Sequence, residues 1–279
     1  MLASVAFHCD ADKTFRDPLE KVRAFTFYDY SIALHTHDFY EINIVMSGSG
    51  THQVSENAIS VQEGDVFIIP PMVPHAYYDT ERLEVVHILI RPEVIQSNLS
   101  EARKVDGFLL FTEIEPALRI SYSSPQVLRL SPIQLRSLDT DLAVLRDDSP
   151  YNKRQSSPLI IHTMWKLVYM FSVCLANQVS AKSGRSSKYE KQIIEALQYI
   201  HKNYHKKITI ETLLKRVYMS RSTFLRSFAE VTGVTPLQYI SRYRLDKALL
   251  LLEDKALSKS EVARLCGYYN SAHLDRALK

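Results

Sequence analysis

The sequence contains few of the features that mark secreted or membrane-anchored proteins. Its 279 residues include three cysteines, Cys9, Cys174 and Cys266. They are far apart and odd in number, which excludes a disulfide framework and is typical of a reducing cytosol. The first 15 residues, MLASVAFHCDADKTF, lack a basic flank and a long apolar core, so they do not resemble a secretory signal. We therefore predict a cytoplasmic protein.

An uninterrupted membrane span is also missing. The most apolar run, residues 159–176, is broken by several polar side chains, with Lys166 near its middle. A lysine in mid-span is costly, so the run predicts a buried helix between two domains and no membrane contact. A small, polar, serine-rich stretch follows up to Ser187 and is typical of a flexible linker.

Charge is distributed unevenly along the chain. Residues 188–279 hold 17 lysines and arginines against 9 acidic residues, a net charge of +8, whereas the remainder holds 17 against 22, a net charge of −5. A basic segment of this kind attracts a phosphate backbone by releasing counterions. The overall +3 therefore conceals a basic C-terminal third on an acidic body.

The basic third contains an internal repeat. In the first copy Leu213-Leu214 is followed by Ser220, Phe224, Arg226 and Phe228. In the second copy Val262-Ala263 is followed by Gly267, Leu274, Arg276 and Leu278. Each copy predicts a helix, a tight turn and a second helix, the arrangement that inserts the second helix into the major groove of DNA.

Local signals predict where these helices begin and end. Serine, threonine and asparagine favour helix starts, and glycine favours helix ends with positive φ. The predicted capping and closing residues are Ser220, Gly233, Thr235, Ser258 with Glu261, Gly267, and Asn270 or Ser271. The second copy stops at Lys279, short of the tail that follows the first, so we expect either an incomplete C-terminal end or a different closure of this copy.

The repeat resembles the DNA-binding domain of the AraC family of bacterial transcription regulators. The resemblance is carried by SxxxFxRxF, GVTPxxYIxxxRLxxA and SEVARLCGYxNxxHLxR, and covers about a third of the chain. It implies the following DNA-binding residues: Arg221, Ser222, Leu225 and Arg226 in the first copy, and Ala272, His273, Asp275 and Arg276 in the second. Leu225, Ala272 and Asp275 depart from the usual residues, which affects base preference rather than docking.

The same resemblance implies a function. We expect a ligand-responsive, sequence-specific DNA-binding transcription regulator, not an enzyme. Its expected partners are double-stranded DNA, a sugar-like or other small metabolite as effector, and a second copy of the chain in a homodimer. If the protein activates transcription, a contact with RNA polymerase is expected as well.

The N-terminal part predicts a β-rich effector domain. Residues 22–91 contain short runs rich in β-branched and aromatic residues, separated by Gly48, Gly50, Asn57 and Gly64. The fold class is therefore α+β, with an N-terminal antiparallel β-barrel, cupin-like, with helices, and a C-terminal all-α double helix-turn-helix. The predicted division is 1–157 for the effector domain, 158–187 for the apolar helix and linker, and 188–279 for the DNA-binding domain.

A set of histidines within this β-region resembles the two motifs of the cupin barrel. His35 and His37 precede Glu41 in the pattern HxHxxxE, and Gly64 leads through Pro70 to His75, although Met72 stands where many cupins have glycine. Two imidazoles, a carboxylate and a third imidazole can bind a divalent transition metal.

Three interpretations of these residues stay open. They hold a metal, they line a metal-free pocket for a small ligand with Tyr77 nearby, or they only orient the strand and loop. A metal-dependent cupin enzyme with a helical appendage is the alternative function.

One further pattern lies between these regions. Leu135, Leu138, Leu142 and Leu145 are spaced 3, 4 and 3 residues apart. Such a stripe predicts either a helix packed on the barrel or a helical dimer interface.

Overall fold

The chain forms two compact units. In the computed structural model the first unit comprises residues 1–181 and the second residues 182–279. The structure describes residues 5–16, 18–105, 107–121, 127–146, 158–182, 189–252 and 257–278. The start of the predicted flexible linker, up to Lys182, is instead the last part of the apolar helix, and residues 183–187 lie outside the described range.

The first unit is built around two long antiparallel strands, β4 and β7. Its strands are β1 (Phe7–Cys9), β2 (Val22–Phe27), β3 (Ile32–His37), β4 (Tyr40–Val54), β5 (Asn57–Gln62), β6 (Asp65–Ile69), β7 (His75–Ile90) and β8 (Leu128–Arg129). Strands β4 and β7 pair with each other from Tyr40↔Ile90 to Val54↔His75, with register shifts between Val45 and Thr51. These shifts bend both strands, so each pairs with different neighbours along its length.

The neighbours divide the sheet into two halves. The N-terminal half of β4 pairs with β6 and its C-terminal half with β5. On the other side, β2 pairs with the C-terminal half of β7, and β3 pairs with the start of β7. The expected β-rich domain with cupin-like character is present.

The sheet differs from the expected antiparallel barrel in two respects. Its hydrogen-bonded path is open, with the order β1-β3-β7-β4-β6-β8 among the described residues. Strand β1 runs parallel to β3, because it enters from a separate N-terminal segment rather than through a hairpin.

Helices cover the first unit. They are α1 (Ala11–Thr14), α2 (Pro92–Ser97), α3 (Leu99–Ala102), a π-helical turn (Leu110–Ile114), α4 (Glu115–Ser121), α5 (Pro132–Ser137), α6 (Asp139–Leu145) and α7 (Pro158–Lys182). Helix α7 is the predicted apolar helix, and it packs within this unit, with Trp165 near Phe108 and Phe171 near Phe111.

Helix α7 also has a stretch, Pro158–Val179, that is long and apolar enough to cross a membrane by length and composition. Half of its most apolar window is buried inside the protein, and core helices meet the same criterion. Lys166 on this helix forms an ion pair with Asp141 at 2.8 Å.

The leucine stripe packs inward. It spans α5 and α6, and its four side chains, Leu135, Leu138, Leu142 and Leu145, are buried within one chain. The structure therefore favours the packed-helix alternative over a dimer interface at this stripe.

The second unit is helical, as predicted. Its helices are α8 (Glu190–Asn203), α9 (Ile210–Val217), α10 (Arg221–Thr232), α11 (Pro236–Leu252), α12 (Lys259–Leu265) and α13 (Ser271–Ala277). Helices α9 and α10 form the first helix-turn-helix, α12 and α13 the second, and α11 joins them. Phe224 and Phe228 are fully buried in the first, and Leu274 in the second.

The predicted caps of these helices are confirmed. The side chains of Ser220 and Asn270 accept hydrogen bonds from the first turns of α10 and α13, and Ser258 with Glu261 forms a capping box at α12. Gly233 and Gly267 both have positive φ. Of the two predicted starts for the last helix, Asn270 is the capping residue.

Candidate functional site

Three strands bring the predicted histidine and glutamate side chains together in the interior of the first unit. His35 and His37 lie at the end of β3, Glu41 near the start of β4, and His75 at the start of β7. The pairing of β3 with β7 sets His35 opposite His75. Residues up to 40 positions apart in sequence therefore become neighbours through strand register.

His37, Glu41 and His75 form the closest group, which we call the His–Glu cluster. One ligand atom from each lies within 4.8 Å of the others. The Nε2 atom of His37 is 3.5 Å from a Glu41 carboxylate oxygen, and Nε2 of His75 is 4.0 Å from the other oxygen. All three residues are buried, with at most 5% of their surface exposed.

The hydrogen bonds behind the cluster determine which ring nitrogens carry protons. Nδ1 of His37 bonds to the carbonyl oxygen of Phe39 at 2.7 Å, and Nδ1 of His75 to that of Val73 at 3.0 Å. A carbonyl oxygen only accepts, so both Nδ1 atoms donate, and each neutral ring keeps its lone pair on Nε2. These two Nε2 atoms are buried without a hydrogen-bond partner.

The cluster therefore consists of three acceptors facing one another. Burial lowers the pKa of His37, and it lowers that of His75 to about 3, so both rings are neutral near pH 7. Burial acts to raise the pKa of the Glu41 carboxyl, but His87, which donates a hydrogen bond to it, holds that pKa well below its usual value. A cation between these atoms would satisfy all three.

Two residues that sequence reasoning missed hold the Glu41 carboxylate. Nδ1 of His87 donates to its Oε1 at 2.9 Å, and the Asn43 amide donates to the same oxygen at 3.0 Å. Asn43 and His87 lie directly opposite each other in the β4–β7 register. The signal was a histidine within the apolar run VVHILI, which becomes informative only once that register is known.

Two predicted residues lie beside the cluster rather than in it. His35 donates from Nδ1 to the carbonyl of Ala33, and its ring centroid is 4.1 Å from that of His75. Tyr77 stacks on His52 at 4.5 Å, and its hydroxyl is buried without a hydrogen-bond partner. Sequence reasoning also missed His52, which lies between the rings of Tyr77 and Phe67.

The predicted DNA-binding residues occupy the second unit. Arg221, Ser222 and Arg226 are exposed on α10, whereas Leu225 is half-buried. Arg221 begins the helix and pairs with Glu211 on α9 at 2.7 Å. The Arg226 side chain is 70% exposed and lies 3.8 Å from Glu230, so it remains available to a partner.

We call the second helix of each helix-turn-helix, α10 or α13, its reading helix. The reading helix α13 carries a different charge pattern from α10. Ala272, His273 and Arg276 are exposed on α13. Asp275 is half-exposed and forms an ion pair with Lys259 at the start of α12. In the first helix-turn-helix the second helix, α10, supplies the cation of the interhelical pair, and in the second helix-turn-helix α13 supplies the anion.

Comparison with known families finds one match in each of the two units. Residues 20–135 match the model of the AraC-like ligand binding domain, and residues 213–279 match a helix-turn-helix domain.

Several characterised proteins are similar along most of the chain. The transcriptional activator RhaS of Pectobacterium carotovorum subsp. carotovorum (strain PC1) is 27% identical over 86% of this chain and 80% of its own. The activator RhaR of Mannheimia succiniciproducens is 25% identical over 88% and 82%. Among solved structures, the DNA-binding domain of AdpA in complex with a target DNA is 36% identical, with a TM-score of 0.30, over 31% of this chain and 78% of that one.

Proposed function

We propose, from the premise that this chain is a ligand-responsive, sequence-specific DNA-binding transcription regulator of the AraC family, that its effector site is the His–Glu cluster and that α10 carries the main base readout. The division of labour follows the predicted domains: 1–157 for sensing, 158–187 as connection and 188–279 for DNA binding. We assign the protein to the cytoplasm, with a homodimer as its functional form.

The cluster supports a divalent transition-metal ion as a component of the effector. The observation that carries this is the pair of buried Nε2 lone pairs on His37 and His75, both directed at the Glu41 carboxylate with no donor between them. Imidazole nitrogens and a carboxylate suit ions such as Zn²⁺, Fe²⁺ and Ni²⁺. The Nδ1–H bonds to backbone carbonyls are the supporting contacts that metal-binding histidines usually make.

A small metabolite is the second component that we propose for this site. Three protein ligands leave further coordination positions on such an ion, and oxygen atoms of a sugar-like or other small metabolite can fill them. The Tyr77 hydroxyl and the nitrogens of His52 are buried nearby without partners and are free to hold such a molecule. A metal-free effector site at these residues is the alternative, and metal analysis distinguishes the two.

The experiment combines metal analysis with DNA binding. The full chain, purified without chelator, should contain about one transition-metal ion per chain. His37→Ala with His75→Ala should remove that ion and the effect of effector on DNA affinity. The matched control is His162→Ala, since His162 is exposed on α7. An unaltered effector response in the double variant would locate the effector site elsewhere.

DNA readout by α10 is supported by its exposed side chains. Arg226 is the strongest candidate, because arginine commonly donates two hydrogen bonds to guanine in the major groove. On α13, His273 and Arg276 are exposed, whereas Ala272 offers no polar group and Asp275 opposes the phosphate charge. We therefore assign α13 the weaker share of readout. Footprinting tests this, since two equally protected major-groove segments per protomer would contradict it.

Regulation rather than catalysis is the role we assign to the cluster. Similar proteins along most of this chain are named transcriptional activators, and we extend activation, with a contact to RNA polymerase, to this chain. A metal bound by two histidines and a carboxylate also serves in enzymes, so catalysis is the alternative. Turnover of small hydroxy acids or sugars by the metal-loaded chain would support that alternative and contradict a purely regulatory role.

A further inference from the structure

The turn of the first helix-turn-helix contains a backbone conformation that is unfavourable for its residue. Tyr218 closes α9 in the left-handed region, with φ 52° and ψ 43°, and its N–H bonds to the carbonyl of Leu214 at 3.0 Å. Glycine is the usual residue at such helix ends, because a Cβ atom in this region costs free energy. The chain has glycine at two comparable helix ends, Gly233 after α10 and Gly267 after α12.

Packing does not compensate for this conformation. The Tyr218 side chain is 94% exposed, and within the described part of the chain it makes no hydrogen bond, ion pair or ring contact. A bulky residue held in an unfavourable conformation without packing is a reason to look for an external partner.

The second helix-turn-helix repeats the exposed tyrosine at a nearby position. A side chain at Gly267 is excluded, because its Cβ would lie 2.6 Å from the carbonyl oxygen of Tyr204. Two residues later Tyr269, just before the capping residue of α13, is 92% exposed. In the described residues no other large hydrophobic side chain is more than 74% exposed.

We propose that Tyr218 and Tyr269 contact the sugar-phosphate backbone of DNA on either side of the inserted reading helices. The inference rests on the proposed function, since it requires α10 and α13 to enter the major groove. A tyrosine presents an apolar ring to the deoxyribose and a hydroxyl donor to a phosphate oxygen, and tyrosine is among the residues that make such contacts.

The charges around the first turn fit this partner. Lys215 and Arg216 are exposed in the last turn of α9, and Arg221 is exposed at the start of α10. Tyr218 lies between these cations in the sequence, so its exposed side chain belongs to the same basic turn. Backbone contacts fix the depth and register of a reading helix without sensing the base sequence.

The test separates the contribution of the Tyr218 hydroxyl to DNA binding from the effect of its backbone conformation on stability. Tyr218→Gly should raise the melting temperature of the second unit by about 2–4 °C, since it relieves the backbone conformation. It should nevertheless weaken DNA binding by the full chain. Tyr218→Phe keeps the ring and backbone, and should weaken binding by about three- to tenfold through loss of the phosphate hydrogen bond. Tyr269→Phe should show a smaller loss of the same kind.

Two duplexes make the outcome decisive. One is a mixed-sequence 30-base-pair duplex, and the other is a duplex selected from a random pool by the full chain. If a Tyr218 variant loses affinity for both duplexes by the same factor, the result supports a backbone contact. A loss of affinity for the selected duplex alone would assign Tyr218 to base reading and overturn the proposal. Unchanged affinity of both Tyr218 variants would overturn it as well.

Controls distinguish this inference from the proposed function. Tyr28→Phe changes an exposed tyrosine of the first unit and should leave affinity unchanged. Arg226→Ala should weaken binding to the selected duplex and bind the mixed-sequence duplex nearly as before. If Arg226→Ala behaves so while the Tyr218 variants bind normally, only the tyrosine contact fails. If the unaltered chain selects no duplex from the random pool, the assignment of DNA reading to α10 fails too.

Discussion

The two units of this chain use polar side chains in opposite ways. In the first unit the functional candidates are buried, and His37 is fully enclosed while Glu41 is 5% exposed. In the second unit the candidates lie on the surface, and the Arg226 side chain is 70% exposed. A buried polar atom without a partner costs free energy in the folded state, whereas an exposed one is hydrated at little cost.

This difference predicts how each unit responds to its ligand. Unpartnered nitrogens in the His–Glu cluster make the first unit less stable until a ligand satisfies them, so stability and effector binding are coupled there. The second unit holds its fold through apolar packing around Phe224, Phe228 and Leu274, and its candidate DNA-binding residues are not part of that packing. Substitutions of the same kind, one in each unit, test this comparison.

The largest effect is expected at the buried ion pair of the first unit. Arg119 and Glu115 are both 1% exposed and 2.8 Å apart, and Arg119 also donates to the carbonyl of Ile68. Arg119→Ala leaves a buried carboxylate unpaired and should lower the free energy of unfolding by about 3–5 kcal/mol. Urea unfolding followed by fluorescence of Trp165, the single tryptophan of the chain, reports on this unit alone.

The control for this prediction lies in the second unit. Arg216→Ala removes one partner of an exposed pair, Arg216 and Glu195, 3.8 Å apart. That variant should leave the calorimetric unfolding transition of the second unit nearly unchanged. If Arg119→Ala lowered the free energy of unfolding as little as Arg216→Ala does, burial of ion pairs would not distinguish the two units.

Metal removal is expected to have the next largest effect. At a free metal concentration of 100 times the dissociation constant, binding stabilises the first unit by about 2.7 kcal/mol. Chelation should therefore lower the midpoint of the unfolding transition that Trp165 reports. The calorimetric transition of the second unit should keep its temperature. The double variant at His37 and His75 should melt at the same temperature with and without metal. A metal-induced shift in that variant would contradict the assigned ligands.

A substitution at the DNA surface should affect binding without affecting stability. Arg226→Ala removes an exposed guanidinium and should weaken binding to the selected duplex by about 1–3 kcal/mol. The melting temperature of this variant should not change, because the Arg226 side chain is exposed and its pair with Glu230 lies at the surface. Ser222→Ala is a milder companion on the same helix. Unchanged affinity for the selected duplex would remove Arg226 from base readout.

The sequence was informative about the two units to different extents, for a physical reason. Helix ends depend on local chemistry, so the roles of Ser220, Ser258 and Gly267 could be predicted from spacing alone. The support of Glu41 by Asn43 and His87 depends on β4–β7 register, which a single sequence does not specify. The interhelical pairs and the left-handed Tyr218 were missed because both depend on how successive helices pack.

His52 should show a moderate effect with a defined pH dependence. Burial, reinforced by the charge of Arg119, holds the pKa of His52 well below its usual 6.5. Below pH 6.5 the unfolded chain therefore binds a proton that the folded chain excludes, and the free energy of unfolding falls with decreasing pH.

His52→Phe keeps the ring between Phe67 and Tyr77 and removes two buried nitrogens without partners. It should stabilise the first unit by about 1–2 kcal/mol and reduce the slope of stability with pH, between pH 6 and 5, by about 1.4 kcal/mol per unit. Urea unfolding at several pH values, followed by Trp165, measures both. An unchanged slope would show that His52 is protonated in the folded state.

The smallest effects are expected at the two interhelical ion pairs of the second unit, which carry opposite polarity. Glu211→Gln releases Arg221 of α10, and Asp275→Asn releases Lys259 of α12 while removing a negative charge from the reading helix. Both pairs are exposed, so neither change should shift the melting temperature by more than about 1–2 °C.

Their effects on DNA should differ despite equal stability. Each variant frees one cation for phosphate, but Asp275→Asn also removes repulsion between an acid on α13 and the groove. It should therefore raise affinity for the mixed-sequence duplex more than Glu211→Gln does, and the difference should shrink as salt screens the charges. If Asp275→Asn instead lowers affinity for the selected duplex alone, its carboxylate accepts a hydrogen bond from cytosine N4, and α13 carries more of the readout than α10.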